Sequence, residues 1–344
     1  MNLARADELY LPMIEGEMRA VLAPAEPALA RYYAMMAYHL GWMDDGLEPV
    51  VAPAGKRVRP LLCVLACGAA GGDPTRALPA AAGLELLHNF SLIHDDIEDD
   101  SATRRHRPTL WSLFGMPQAC NTGDAMFSLA HLAFQRLVEH EVPVPVVLHC
   151  LRVFDEMCVA LTQGQYLDMS FEARSDVSVE DYLAMIRGKT GALLATAPHI
   201  GALIAEATPA DADAYRAFGA ALGKAFQLQD DILGIWGDPA VTGKSAASDI
   251  LSKKKTLPVA YALVHPSAGA GLQALYRGPA FSMNDIPAVL VLLEIAGARA
   301  YAEEQVQQAT EEAHAALQVT GPHAERGHQA ALAELLDGLM TRQS

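Results

Sequence analysis

Apolar side chains recur at helical spacing along almost the whole of this 344-residue chain, and no segment alternates as a half-buried strand would. Ala, Leu and Met abound, which suits helices, while Val/Ile/Thr runs that suit strands are few. The spacing predicts helices over roughly 5–22, 26–42, 57–70, 77–101, 117–140, 144–169, 179–206, 210–236, 254–265, 284–317 (broken within) and 328–341. Proline-bearing connections such as Pro143-Val144-Pro145 and Gly278-Pro279 separate them. The fold class read from this is all-α. No break in composition divides the chain, so residues 1–344 are expected to form a single large helical domain.

The chain is 51% hydrophobic, enough for a sizeable core, yet has no uncharged apolar run of about 18 residues, so no transmembrane segment is expected. Its net charge of −16 excludes a basic nucleic-acid footprint. Any phosphate it binds must be held by a few placed cations and by metal. Cys63, Cys67, Cys120, Cys150 and Cys158 each lie in apolar helical sequence, and no further Cys or His completes a zinc site around the Cys63/Cys67 pair. They read as reduced core residues of a cytoplasmic protein.

Part of the negative charge is concentrated in two places. The segment Leu92-Ile93-His94-Asp95-Asp96-Ile97-Glu98-Asp99-Asp100 ends a long apolar helix with five carboxylates in six residues. They repel one another and oppose the helix macrodipole, so a cation offsets the cost. Asp95 and Asp99 stand i, i+4 on one face with Asp96 beside them, a spacing of hard oxygens that suits Mg²⁺. An acidic helix end is ordinarily a solvated face; here the apolar flank argues that a buried helix reaches an opening. Arg104-Arg105-His106-Arg107 follow, and arginine forks match phosphate oxygens in pairs. His88 lies seven residues before Asp95 and eleven before Asp99, so the helical period puts all three on one face.

The segment Ala225-Phe226-Gln227-Leu228-Gln229-Asp230-Asp231-Ile232-Leu233-Gly234 repeats the theme, again on an apolar helix and again before a cationic loop. That loop, Gly237 to Lys255, carries Lys244 and the triplet Lys253-Lys254-Lys255 and is suited to act as a lid. Aspartates facing each other from two helices of a bundle can hold metal between them.

These motifs resemble the trans-isoprenyl diphosphate synthase (polyprenyl synthetase) family over most of the chain. Gly55-Lys56-Arg57-Val58-Arg59-Pro60 is similar to its GKRxRP segment, and Leu92 to Pro108 to its first aspartate-rich motif with the trailing arginines. Gly164-Gln165 with Asp168, Lys189-Thr190, and Phe226 to Asp231 are similar to its GQxxD, KT and second aspartate-rich elements, and Lys244 stands in the GDPxxTGK stretch. The resemblance implies a helical bundle of the isoprenoid synthase type with a central cavity. It implies Mg²⁺ held by Asp95, Asp96, Asp99 and Asp230, with Asp231 in support. Arg104, Lys189 and Lys244 would then grip an allylic diphosphate, and Lys56, Arg59, His88 and Arg105 the diphosphate of isopentenyl diphosphate. Thr190, Gln227 and the Lys189 carbonyl would line the developing carbocation, and Lys254 would close the lid, the register within its triplet being open. A homodimer is a further implication.

The implied reaction ionises the allylic C–O bond, lets the isopentenyl double bond attack the cation, and loses a proton to the released diphosphate. Phe90, five residues before the first aspartate, with Ser91 beside it and no insertion between Asp96 and Asp99, implies a geranylgeranyl product; farnesyl and longer C25 products are the alternatives. Helical spacing alone sets Ser91 nearer than Phe90 to the face of Asp95. A terpene synthase or cyclase of the same fold is the main rival, which the isopentenyl diphosphate residues oppose; a weakly active partner subunit is another, opposed by the intact first motif. One departure stands out: the second motif ends in Gly234 where the family commonly has a further aspartate.

Overall fold

The structure, a computed structural model, describes residues 1–24, 26–52, 55–237, 247–319 and 326–341. The chain groups into two compact units. The first comprises Met1–Arg152, Ala197–Thr208 and His323–Ala331; the second comprises Val153–Thr196, Pro209–Pro322 and Leu332–Ser344.

Within the first unit, α1 (Leu3–Val21), α3 (Val58–Ala69) and α6 (Met116–Gln135) pack around α4 (Leu78–Glu98). Every residue of α4 from Leu78 to Leu87 is buried, Glu85 included. The small residues Ala80, Ala81, Ala82 and Gly83 let neighbouring helices approach closely. A β-carbon on Gly83 would stand 2.6 Å from the Phe134 ring of α6. On its other side α3 is met by Gly201, where a β-carbon would collide with the Cys63 carbonyl. α2 (Ala30–His39) and the short α5 (Leu110–Phe114) complete this unit's early helices.

Sequence spacing misses one element here. Thr103–Arg104 and Arg107–Pro108 form a two-stranded antiparallel hairpin, β1 and β2, with Arg104 paired to Arg107. Its turn residues Arg105 and His106 both take left-handed φ, +52° and +62°. That is the conformation a tight two-residue hairpin turn requires, and it is strained for side chains other than Gly and Asn. Tertiary contacts hold it: Arg107 stacks on the Tyr38 ring at 4.1 Å and donates to the Tyr38 and Met43 carbonyls, and the Tyr38 hydroxyl donates to the Pro108 carbonyl at 2.7 Å.

α7 (Val144–Glu172) leads into the second unit. There α8 (Val179–Ile186) opens on a capping box in which Ser178 and Asp181 bond each other's backbone amides. The expected helix over 179–206 is interrupted: Arg187–Gly191 form a π-helical turn before α9 (Ala192–Ile204) resumes. α10 (Pro209–Trp236) follows, then α11 (Ser248–Leu251), α12 (Leu257–Leu263) and α13 (Gly269–Arg277). The expected break within 284–317 falls at Gly297, with φ +66°, between α14 (Ile286–Ile295) and α15 (Ala298–Val319). α16 (Arg326–Met340) ends the described chain. α10 packs along α15, and Leu228 and Ile232 of α10 share a core with Tyr182, Leu257, Ala302 and Val306. The Tyr261 and Tyr301 rings stack at 4.0 Å.

The glycines give a direct test of this packing. Gly83→Ala, despite the better helix former, loses about 1–3 kcal/mol by forcing the Phe134 ring aside. Gly16→Ala, where nothing lies within 4 Å, gains up to about 1 kcal/mol. Urea denaturation of both variants measures the opposite signs.

Candidate active site

In the first unit the first acidic motif closes α4, whose last turn passes from the buried Asp96 to the exposed Asp99. Asp95 is half-buried on the His88 side of the helix. Asp96 turns inward: its carboxylate, 3% exposed, accepts from Arg104 Nε at 2.8 Å. Burial pushes the Asp96 carboxyl up to about 6, against the downward pull of Arg104. The hairpin turn therefore folds the first arginine back onto the motif that precedes it.

The second arginine packs this hairpin against the GKRxRP segment. Gly55, at φ +84°, leaves the space that the Arg105 guanidinium fills; a β-carbon there would lie 2.8 Å from its Nη2. Lys56 follows on the surface, and Arg57 turns into the core at φ +46°, donating to the Met18 sulfur and approaching Glu15 at 3.8 Å. Arg59 belongs to the same cationic group, and His88 lies in its field. Burial, and then the charges of Arg59, Arg105 and Arg104, hold the His88 imidazole well below its ordinary value, so it is neutral. A small, open recess lies beside the hairpin, lined in part by Tyr38, His39, Asp96, Arg104, Arg105 and Arg107. His39 is pushed down to about 3 by burial and by the same arginines.

Glu85 escaped the sequence reading. It is 3% exposed and held by Asn89 Nδ2 at 3.0 Å; burial raises its pKa above the ordinary value, against the downward pull of Arg57, Arg59 and Arg105. It is the counter-charge that lets several cations gather under the His88 turn. The available signal was a lone glutamate inside an otherwise apolar helix.

In the second unit a chain of side chains links the KT pair to the second acidic motif. Thr190 donates to Gln227 Oε1 at 2.7 Å, and Gln227 Nε2 donates to Asp231 Oδ1 at 3.0 Å. Asp231, 1% exposed, also accepts from the Tyr182 hydroxyl and, at 2.9 Å, from the Leu257 amide. Burial pushes its carboxyl up to about 6 in spite of Lys254 and these donors. Lys189 pairs with Asp168 at 2.6 Å. The GQxxD element thus has two structural parts. Asp168 receives the lysine, and Gly164 admits the π-helical turn, since a β-carbon there would strike the Lys189 amide. Gly188 answers it from the other side, where a β-carbon would stand 2.6 Å from the Ala160 carbonyl. π-helical turns of this kind frequently occur at functional sites.

Asp230, half-buried, stands on the α10 face that Gly234 continues one turn later. The volume above Gly234 is taken by the Asp249 carboxylate of α11, which a β-carbon at Gly234 would overlap. The lysine triplet resolves as well. Lys253 donates to the carbonyls of Leu275, Tyr276 and Gly278, and Lys255, 5% exposed, donates to the Glu172 carbonyl. Lys254 is the one whose charge reaches Asp231. Lys244 lies outside the described residues.

Phe90 packs toward α6, its ring 5.1 Å from Phe127 and 4.7 Å from His94, while Ser91 donates to the His88 carbonyl. One expectation is corrected: Cys63, Cys67, Cys150 and Cys158 are buried, but Cys120 is exposed. It lies on the solvent side of α6, so its apolar neighbours in sequence do not surround it in space. Among the described residues no helix is long and apolar enough to cross a membrane.

Residues 41–293 match the polyprenyl synthetase family. The chain belongs to that family. It is similar to the (2E,6E)-farnesyl diphosphate synthase of Mycobacterium tuberculosis, 43% identical over 80% of this chain and 76% of that protein. It is also similar to the geranylgeranyl diphosphate synthase of the same organism, 40% identical over 85% and 83%. Among solved structures, a polyprenyl synthetase from Streptomyces coelicolor matches with a TM-score of 0.87 at 36% identity, covering 98% of each chain. This polyprenyl synthetase is an all-α enzyme, a prenyltransferase of isoprenoid biosynthesis, as the sequence motifs led one to expect.

Asp231 sets a pH dependence. From about its ordinary value of 3.8 up to about 6, the folded enzyme keeps a proton there that the unfolded chain has released. Stability accordingly falls as pH rises through that window. Asp231→Asn, which cannot ionise, flattens this part of the slope, read from urea midpoints between about pH 4 and pH 6.5.

Proposed function

We propose that this enzyme is a magnesium-dependent prenyl diphosphate synthase, condensing isopentenyl diphosphate with an allylic diphosphate head to tail and in trans, with geranylgeranyl diphosphate as product. The observation that carries the reading is the acidic end of α4 with an arginine hairpin folded back on it, Arg104 bonding Asp96 at 2.8 Å. It supports diphosphate recognition in a chain whose relatives are prenyl diphosphate synthases.

The donor set fits magnesium. Asp95 and Asp99 offer hard oxygens one turn apart in the first motif, and Asp230 does so in the second. Asp249 belongs with Asp230: its carboxylate stands where a longer side chain at Gly234 would reach, so it supplies the oxygen that the glycine lacks. When bound, magnesium supplies neutralisation of the charge that develops on the leaving diphosphate. The protein's cations do the rest of the holding: Arg104, Lys189, Lys244 and Lys254 on the allylic diphosphate, Lys56, Arg59 and Arg105 on that of isopentenyl diphosphate. Neutral His88 donates to the latter without adding charge. The Thr190 hydroxyl, oriented by its bond to Gln227, and the Lys189 carbonyl face the carbocation. The five unpaired thiols support a cytoplasmic setting. A homodimer belongs to the same reading, a second copy covering exposed apolar side chains of α7 such as Leu148, Val159 and Tyr166.

Incubation with magnesium, isopentenyl diphosphate and each allylic primer in turn, with products identified by mass, is expected to yield the twenty-carbon diphosphate. A cyclised hydrocarbon formed without isopentenyl diphosphate overturns the reading. In the same assay Phe90→Ala shifts products beyond twenty carbons, and an unchanged distribution removes Phe90 from chain-length control. Asp249→Asn raises the magnesium concentration needed for half-maximal rate by about tenfold or more, and adding Gly234→Asp recovers part of it.

A further inference from the structure

His94, next in sequence to the first aspartate, takes no part in the reaction proposed above. Its ring lies in a notch on α6 that exists because residue 123 is glycine; a β-carbon there would overlap the ring at Cδ2 and Nε2. The ring is also braced from within its own helix by Phe90, which rests on Phe127. So held, Nε2 is shut off from water and makes no hydrogen bond. An imidazole nitrogen buried without a hydrogen bond costs about 1–3 kcal/mol and calls for an explanation, and here a carboxylate stands near it in ion-pair range.

What faces that nitrogen comes from α6. Asp124 Oδ1 stands 3.4 Å away, and Cys120, one turn earlier on the same helix, has its sulfur 4.0 Å from Asp124 Oδ2. One ligand atom from each of the three residues lies within 4.8 Å of the other two. Zinc bonds of about 2.0–2.1 Å to nitrogen or oxygen and about 2.3 Å to sulfur, at tetrahedral angles, put nitrogen about 3.3 Å from oxygen and oxygen about 3.6 Å from sulfur. The nitrogen–oxygen separation of 3.4 Å already matches, and the proposal requires the Cys120 and Asp124 side chains to rotate so that sulfur closes on the other two ligand atoms. Cys120 and Asp124 are exposed, so an ion can enter from solvent and a water can fill the fourth position.

We infer that His94, Cys120 and Asp124 form a binding site for a zinc-class divalent ion, distinct from the oxygen-only magnesium carboxylates. Nitrogen, sulfur and oxygen together select zinc or cobalt over magnesium, which prefers oxygen and keeps its waters. On binding, the Cys120 thiol passes its proton to solvent and ligates as thiolate. The ion pins the last turn of α4 to α6 one residue from Asp95, which makes the site a clamp on the first acidic motif. This inference does not depend on which prenyl product the enzyme makes.

Cobalt titration of the full-length reduced protein tests it without reference to activity. One equivalent of Co²⁺ is expected to give a thiolate-to-cobalt charge-transfer band with tetrahedral d–d bands, bleached by Zn²⁺ and unmoved by millimolar Mg²⁺. Cys120→Ser abolishes the charge-transfer band, and His94→Gln weakens cobalt binding by about tenfold or more. Thermal melts of both variants check that they fold. Absence of the band in the wild-type protein, or its persistence in Cys120→Ser, overturns the inference. Cobalt held by the aspartates alone gives no thiolate band and so counts against it.

Discussion

A carboxylate taken out of water has to be met by donors, and Asp231 is met by three: the Tyr182 hydroxyl, the Gln227 amide and the Leu257 backbone amide. Those donors come from α8, α10 and the first residue of α12, so one buried charge ties together three elements of the second unit. The same bonds pass outward through Gln227 to Thr190. The Thr190 hydroxyl is thus oriented by a network that the fold cannot break without stranding a charge. The first unit uses a parallel device. Glu85, buried in α4, gathers Arg57, Arg59 and Arg105, and Asp96 fixes Arg104.

Close backbone approach is the second constraint, and it explains why several motif glycines stand where they do. Gly164 lets α7 meet the π-helical turn that carries Lys189 and Thr190, while Gly55 makes room for the Arg105 guanidinium. At Gly234 the geometry reads differently. The glycine departs from the family's acidic pattern, yet the space it vacates holds the Asp249 carboxylate. A charge absent from one helix is present in the same region from another, so a motif read along one segment undercounts the oxygens available.

The all-α class, the existence of nearly every long helix and the two acidic helix segments were legible in the sequence, because they follow from periodicity and local charge. So were the motif residues that place the chain among the polyprenyl synthetases. Short-range order that depends on neighbours was not. The Arg104–Arg107 hairpin has no strand propensity and two strained turn residues; it exists because Tyr38 and Met43 hold Arg107. The π-helical turn at Arg187–Gly191 likewise depends on Gly164, more than twenty residues away.

By itself the sequence determined which residues carry charge, which helices are apolar and where the chain can turn, since these rest on spacing and side-chain chemistry alone. Tertiary structure decided which of those charges reach solvent and which are spent on the fold. Asp95 and Asp99 keep water while Asp96 does not; Lys253 and Lys255 bond backbone carbonyls while Lys254 answers Asp231; Cys120 is exposed while four other cysteines are buried. Residues adjacent in sequence and alike in chemistry differ this much because burial depends on which face of the helix meets a neighbour, and no one-dimensional pattern records the neighbour.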